Sequence, residues 1–189
     1  MQVRIVLAVI ALGLAMQACA LGDPPQSAPD QRAVIRQMAN DTLAQLYQSY
    51  PGAQAKVRDA AGYAVFSDVG MKMFYGGAAH GGGIAVNNAT KQSTYMKMIE
   101  LQPGYGFGIE NFRNVFIFDT AAALNDFVNS GWEFGANAMA AAQGGGQGGS
   151  AAGAVTVSPG VTMYQLTQEG AIAGVSITGA KYYKDDTLN

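Results

Sequence analysis

The chain has 189 residues, 11 basic and 13 acidic side chains, a formal net charge of −2, and 49% apolar residues. That is enough for one domain with a sizeable core, and the slightly acidic balance argues against a nucleic-acid partner, which needs a basic face to neutralise phosphates. The single cysteine, Cys19, excludes an internal disulfide, and the single histidine, His80, excludes a multi-histidine metal site.

Met1 to Ala18 reads as a targeting segment, with Arg4 in a positive n-region, an apolar run from Ile5 to Leu14, and a processing site at Met16-Gln17-Ala18-Cys19. It is too short, and too soon followed by polar residues, for a spanning helix. The processing site resembles a bacterial lipobox. The expectation is a lipoprotein signal peptide over residues 1–18 and a lipid anchor on Cys19; an ordinary signal peptide with an incidental Cys19 is the alternative. Ala20 rather than aspartate after the anchor resembles outer-membrane sorting, so the chain is expected in a bacterial cell envelope, facing the periplasm or the surface. Residues 19–29 are polar and proline-rich and read as an extended tether. The folded domain is expected over residues 30–186.

Asp30 offers an N-cap before a helical pattern carried by Val34, Ile35, Met38, Leu43, Leu46, Tyr47 and Tyr50. Pro51-Gly52 ends that helix, and Ala53 to Ala60 form a second, short one carrying Lys56 and Arg58. The first helix either packs on a sheet or lies in a bilayer interface. A strand, Gly62 to Phe66, then reaches a turn at Ser67-Asp68-Val69-Gly70 and a glycine run from Gly76 to Gly83. So many glycines in a strand imply close backbone approach, a bulge or a sharp bend. Asn87 to Thr90 is a turn signal. Gln92 to Leu101 reads as a strand, Pro103-Gly104 as a turn, and Arg113 to Asp119 as a strand whose apolar run, Val115 to Phe118, is covered on both faces.

Thr120 to Ser130 reads as a helix capped by Asp119 or Thr120, with Leu124, Phe127 and Val128 as its apolar stripe. Trp132 to Ala142 fits strand or helix, and its small residues favour another strand. Gln143 to Gly153 is a low-complexity glycine loop. Val161 to Thr167 and Ala171 to Tyr183 read as a closing hairpin around Gln168-Glu169-Gly170. Small and large apolar residues alternate at period two in Gly104 to Ile109 and again in Gly170 to Ile177, which places Gly106 and Gly174 against approaching backbone. The fold class expected is α+β: a curved, barrel-like, glycine-rich antiparallel sheet with two or three packed helices.

Five patterns in this order carry a family resemblance. They are AGYAVF at Ala61 to Phe66, the glycines from Gly76 to Gly83, GYGFGIE at Gly104 to Glu110, VFIF at Val115 to Phe118 before Ala123-Leu124 and Phe127, and EGAIAGVSITGA at Glu169 to Ala180. Together they resemble a SYLF domain over about residues 31 to 184. Ser67 stands where a proline often follows the AVF strand, and Ala171-Ile172 where Leu-Phe is usual. The resemblance implies non-catalytic lipid binding, with phosphoinositides the eukaryotic ligands and actin a partner in fungi. An exported chain makes actin an unexpected partner.

The residues themselves show little enzyme chemistry. His80 lacks a Gly-x-Ser-x-Gly context and reads as a partly buried structural histidine. GVSITGAK, from Gly174 to Lys181, has Ala180 between glycine and lysine and Tyr182 after it, so it is no phosphate loop. No catalytic residue, metal site or cofactor is expected. For anionic lipid headgroups the candidates are Arg32, Arg36, Lys56, Arg58, Lys72 and Lys97. Lys56 and Arg58 stand out because they fall close together before the core, and Lys72 and Lys97 because each lies between methionines. The function expected is an envelope lipoprotein that binds anionic lipids or a membrane surface; docking a protein partner through the glycine-rich sheet is the alternative.

Overall fold

A computed structural model describes residues 27–134, 154–167, 170–171 and 179–189, with side chains described except at 68–79, 101–111, 133–134 and 170–171. The signal peptide, Cys19 and the Gln143 to Gly153 segment lie outside the described residues.

Helix α1 spans Ala28–Ser49. Its N-cap is Ser27, one turn earlier than the tether and the Asp30 cap anticipated from sequence. The Ser27 hydroxyl accepts from the Asp30 amide at 3.4 Å, and Pro29 sits in the first turn, where a missing N–H costs nothing. Ala39, Thr42, Leu43 and Leu46 form the buried stripe, and the Thr42 hydroxyl is satisfied by the Met38 carbonyl at 2.7 Å. Helix α2, Pro51–Asp59, buries Ala53 and Val57. Its last carbonyls, those of Val57 and of Ala60 just beyond, receive the Asn88 side-chain amide at 2.7 and 2.9 Å. The residue read as a turn former thus closes the C-terminus of a helix 28 to 31 positions away.

Two strands dominate the sheet. β1 runs Gly62–Asn87 and β2 Ser93–Phe118, each 26 residues long and paired antiparallel along nearly their whole length. The turns anticipated at Ser67 to Gly70 and at Pro103-Gly104 are absent, because both stretches stay in the ladder. Pro103, opposite Gly76, lacks an N–H, and the register shifts between Phe74 and Gly76. Two residues of β2, Gly104 and Tyr105, there face one of β1, the extra-residue arrangement of a β-bulge. A turn signal has become an irregularity within a continuous strand.

The long ribbon bends back so that the ends of β1 meet. The Asn88 amide donates to the Ala61 carbonyl at 3.0 Å. A side chain at Gly62 would run into the Val86 carbonyl and Leu124, and one at Gly83 into the Phe66 ring and the Val65 carbonyl. Absent Cβ atoms are what let the two ends of the strand come this close.

β2 is the spine of the sheet. Opposite β1, its C-terminal part pairs with β5 (Val161–Thr167) and its N-terminal part with β7 (Ala180–Lys184). β4 (Ala154–Ser158) and β6 (Gly170–Ala171) pair with β5, and β3 (Trp132–Phe134) pairs with β7. Seven antiparallel strands curl into a half-barrel that carries, among the described residues, three helices. The α+β fold expected from sequence is therefore found. Of the anticipated closing hairpin, Gly170–Ala171 returns along β5 and Ala180–Lys184 pairs with β2, while residues 172–178 lie outside the described residues. β4 and its turn at Pro159-Gly160 had no place in the sequence reading.

Both faces of the sheet are covered, as the apolar run in β2 requires. Val65, Ile84, Val115, Ile117, Tyr164 and Leu166 meet α1 and α2 on one face. Phe66, Phe116, Phe118, Met163 and Tyr182 meet the third helix, α3 (Ala121–Ser130), on the other. Thr120 caps α3, its hydroxyl accepting from the Ala123 amide at 3.2 Å. Phe127 of α3 is the aromatic hub, with ring centroids of Phe118 at 5.0 Å, Phe116 at 5.6 Å, Tyr182 at 5.6 Å and Phe66 at 6.0 Å.

Candidate functional site

The helix–sheet packing gathers some of the basic residues and separates others. Arg32 and Arg36, one turn apart on α1, both lie over the Tyr95 ring of β2, at 5.9 and 5.7 Å from its centroid. Spacing of i and i+4 puts the two guanidinium groups on one face of the helix, and the electron-rich ring face attracts both. Arg32 Nε also donates to the Leu188 carbonyl at 2.8 Å. Lys184 joins them from β7 along a groove of about 400 Å³ between α1, the start of β2 and the C-terminal turn.

That turn is tied firmly to β2. The Asn189 side chain accepts from the Tyr95 amide at 2.9 Å and donates to the Tyr95 carbonyl at 2.8 Å, imitating one more ladder residue. Asp185, buried at 4% exposure, pairs with Lys97 at 2.9 Å and accepts from the Thr187 hydroxyl and amide. Burial pushes the Asp185 carboxyl up, but the hydrogen bonds from Thr187 and Lys97 outweigh it and hold the pKa below the usual carboxylate range. Lys97, itself partly exposed, is therefore engaged by a nearly buried carboxylate.

Lys56 and Arg58, the pair singled out by proximity in sequence, sit on the exposed surface of α2. Arg58 is bound to its neighbour Asp59 at 2.7 Å, and this contact raises the Arg58 pKa and lowers that of Asp59. Lys56 borders a shallow hollow of about 240 Å³ with Tyr50, Pro51 and Tyr164. Lys72 lies in β1 with its side chain outside the described set, and Cys19 lies outside it altogether. His80 is exposed, not partly buried. Among the described residues no cluster of His, Cys, Asp or Glu could hold a metal ion, and no helix is long and apolar enough to cross a membrane.

Tyr95 and the Asp185 to Asn189 turn escaped the sequence reading. A tyrosine next to a methionine in a strand reads as core, and Asp-Asp-Thr-Leu-Asn as a polar tail. The signal that could have found them is the i, i+4 arginine pair on α1, which needs something to lie against.

Residues 99–189 match the family model described as "Las17-binding protein actin regulator" (Ysc84). The chain is also similar to "Beta cell expansion factor A" of Aeromonas veronii, at 31% identity over 166 residues, 87% of this chain and 61% of that protein's length. The chain thus spans less than two thirds of that relative. The matched region takes in β2 from Ile99 onward, α3 and every later strand, the spine of the fold and all that pairs with it except β1. Residues 99–189 thus carry a SYLF (Ysc84) domain match, the family that the sequence patterns resemble.

Proposed function

We propose that this protein is a non-catalytic lipoprotein of a bacterial envelope, attached through Cys19, whose SYLF domain binds anionic lipid surfaces. The observation that carries the reading is the convergence of Arg32, Arg36 and Lys184 on one groove, none of them paired with a carboxylate among the described residues. Three cations near a membrane surface contribute about 1 kcal/mol each, an attraction that decays over a Debye length of about 8 Å at physiological ionic strength. Helix α1 serves as the scaffold of that cluster, not as an inserted amphipathic helix. Its apolar stripe is packed on the sheet, and its outward face carries Asp30 and Asp41, which an anionic surface repels.

The test is sedimentation of the full chain carrying Cys19→Ser with phosphatidylglycerol vesicles. Binding is expected at low salt, with a steep loss at high salt and on changing Arg32 and Arg36 together to glutamine. Lys56→Gln is expected to change it little. If the protein ignores the vesicles at low salt, the lipid reading fails and docking of a protein partner replaces it. For attachment, wild-type protein is expected to fractionate with membranes and Cys19→Ser to lose processing or become soluble.

A further inference from the structure

The same basic groove continues into a second depression of about 240 Å³ between the start of β2 and α3; Gln92, Thr94 and Lys184 line both. Lys184 stands at the junction, its ammonium held by the Asn129 side-chain oxygen at 2.8 Å. Besides Ala85, Leu124 and Val128, the second depression is lined by the side-chain amides of Asn87, Gln92, Asn125 and Asn129 and by the Thr94 hydroxyl. Gln92 and Asn125 have no hydrogen-bond partner for their side-chain amides among the described residues, nor has Thr94 for its hydroxyl. The cleft is therefore cationic at one end and, at the other, rich in groups that both donate and accept. Tyr95 lines the cationic end at 4% exposure, and its hydroxyl has no hydrogen-bond partner among the described residues.

We propose that this cleft is a binding site for a soluble saccharide bearing an oxyanion, with sugar phosphates the simplest members of the class. Two guanidinium groups braced on one aromatic ring, with an ammonium beside them, suit the several acceptor oxygens of a phosphate, which forms its strongest hydrogen bonds to such donors. Neighbouring amides of Gln92, Asn125 and Asn129 suit vicinal hydroxyls, since each hydroxyl donates and accepts in turn. The larger depression alone falls within the ~300–1,000 Å³ usual for small-molecule sites. A bare anion would leave the amide half unused, and a neutral sugar would leave the cations unused. The chemistry of both halves is met by one molecule carrying both groups.

The experiment is calorimetric titration of the full chain carrying Cys19→Ser with glucose 6-phosphate, inorganic phosphate and glucose. Glucose 6-phosphate is expected to bind at least tenfold more tightly than either of the others. Arg36→Gln, an exposed change outside the core, is expected to weaken it about tenfold, the loss of one charge-assisted contact. Asn125→Ala is expected to narrow the gap between glucose 6-phosphate and phosphate. Equal affinity for phosphate and glucose 6-phosphate, no binding of either, or indifference to Arg36→Gln in a protein with an unchanged melt would each overturn the proposal. Vesicle sedimentation run beside it separates the two readings. Vesicle binding without sugar-phosphate binding overturns this inference alone, and sugar-phosphate binding without vesicle binding overturns the membrane reading alone.

Discussion

Adjacent glycines in β1 have opposite tasks. A Cβ at Gly83 would strike the Phe66 ring and the Val65 carbonyl, and backbone does not yield. At Gly82 the nearest atom is Ile35 Cδ1 at 3.8 Å, an ordinary contact. Gly83→Ala should cost about 1–3 kcal/mol through overpacking, whereas Gly82→Ala should be neutral or slightly stabilising by restricting the unfolded chain. Urea denaturation of the two variants decides it, and equal losses would refute the close-approach reading. Of the two glycines that the alternation singles out, Gly106 lies in β2 with its surroundings outside the described set, and Gly174 lies outside the described residues. At Asp185 the argument is one of charge. Its folded pKa lies below the unfolded value, so the unfolded state takes up protons first as pH falls. The stabilisation is present above about pH 4, the unfolded carboxyl range, and disappears as pH falls through the lower folded pKa. Asp185→Asn should thus destabilise by about 1–2 kcal/mol at pH 7, with Lys97 partly exposed and screened. Melts of variant and wild type should converge in strong acid; a difference that persists at pH 2 would assign the loss to packing.

At the scale of elements, helix α1 shows how a weakly amphipathic sequence becomes a fixed helix. Few of its apolar residues are large, and tertiary contacts supply what propensity does not. Leu46, fully buried against the sheet, should cost about 2–4 kcal/mol when changed to alanine. Val34, at 54% exposure, should cost less than about 0.5 kcal/mol for the same change. If thermal melts showed equal losses, α1 would not be seated as described. The periodicity of α1, the Pro51 break, and the cap and stripe of α3 were all legible in the sequence, because each depends on residues within a few positions. The cap of α1 was misplaced by one turn because Ser27 and Asp30 are both good caps, and Pro29 decides between them by fitting the first turn better than a tether.

For the whole molecule, β2 is paired on both edges and covered on both faces where Val115 to Phe118 cross. Amide exchange there should require global opening, while β3, paired with β7 alone among the described strands, should exchange through smaller fluctuations. Hydrogen-exchange mass spectrometry should find peptides over residues 114–118 the slowest of the chain. Faster exchange there than over β3 would contradict the assignment of β2 as the spine.

The sequence by itself determined the class of fold, the glycine-rich sheet and the SYLF resemblance, since period-two alternation and the order of five local patterns survive without knowledge of contacts. It also named the basic candidates, but put Lys56 and Arg58 first on closeness in sequence alone. The tertiary structure decided that Arg32 and Arg36 share a groove with Tyr95 and Lys184, that Arg58 is held by Asp59, and that Lys97 is held by Asp185. It likewise decided that the Ser67 and Pro103 signals lie within continuous strands. The reason is the same in each case except Arg58, whose exposed partner Asp59 is its chain neighbour. A turn residue or a charge has a local preference worth a kcal/mol or so, and pairing along a 26-residue ribbon or against a buried carboxylate overrides it through partners 30 to 150 positions away.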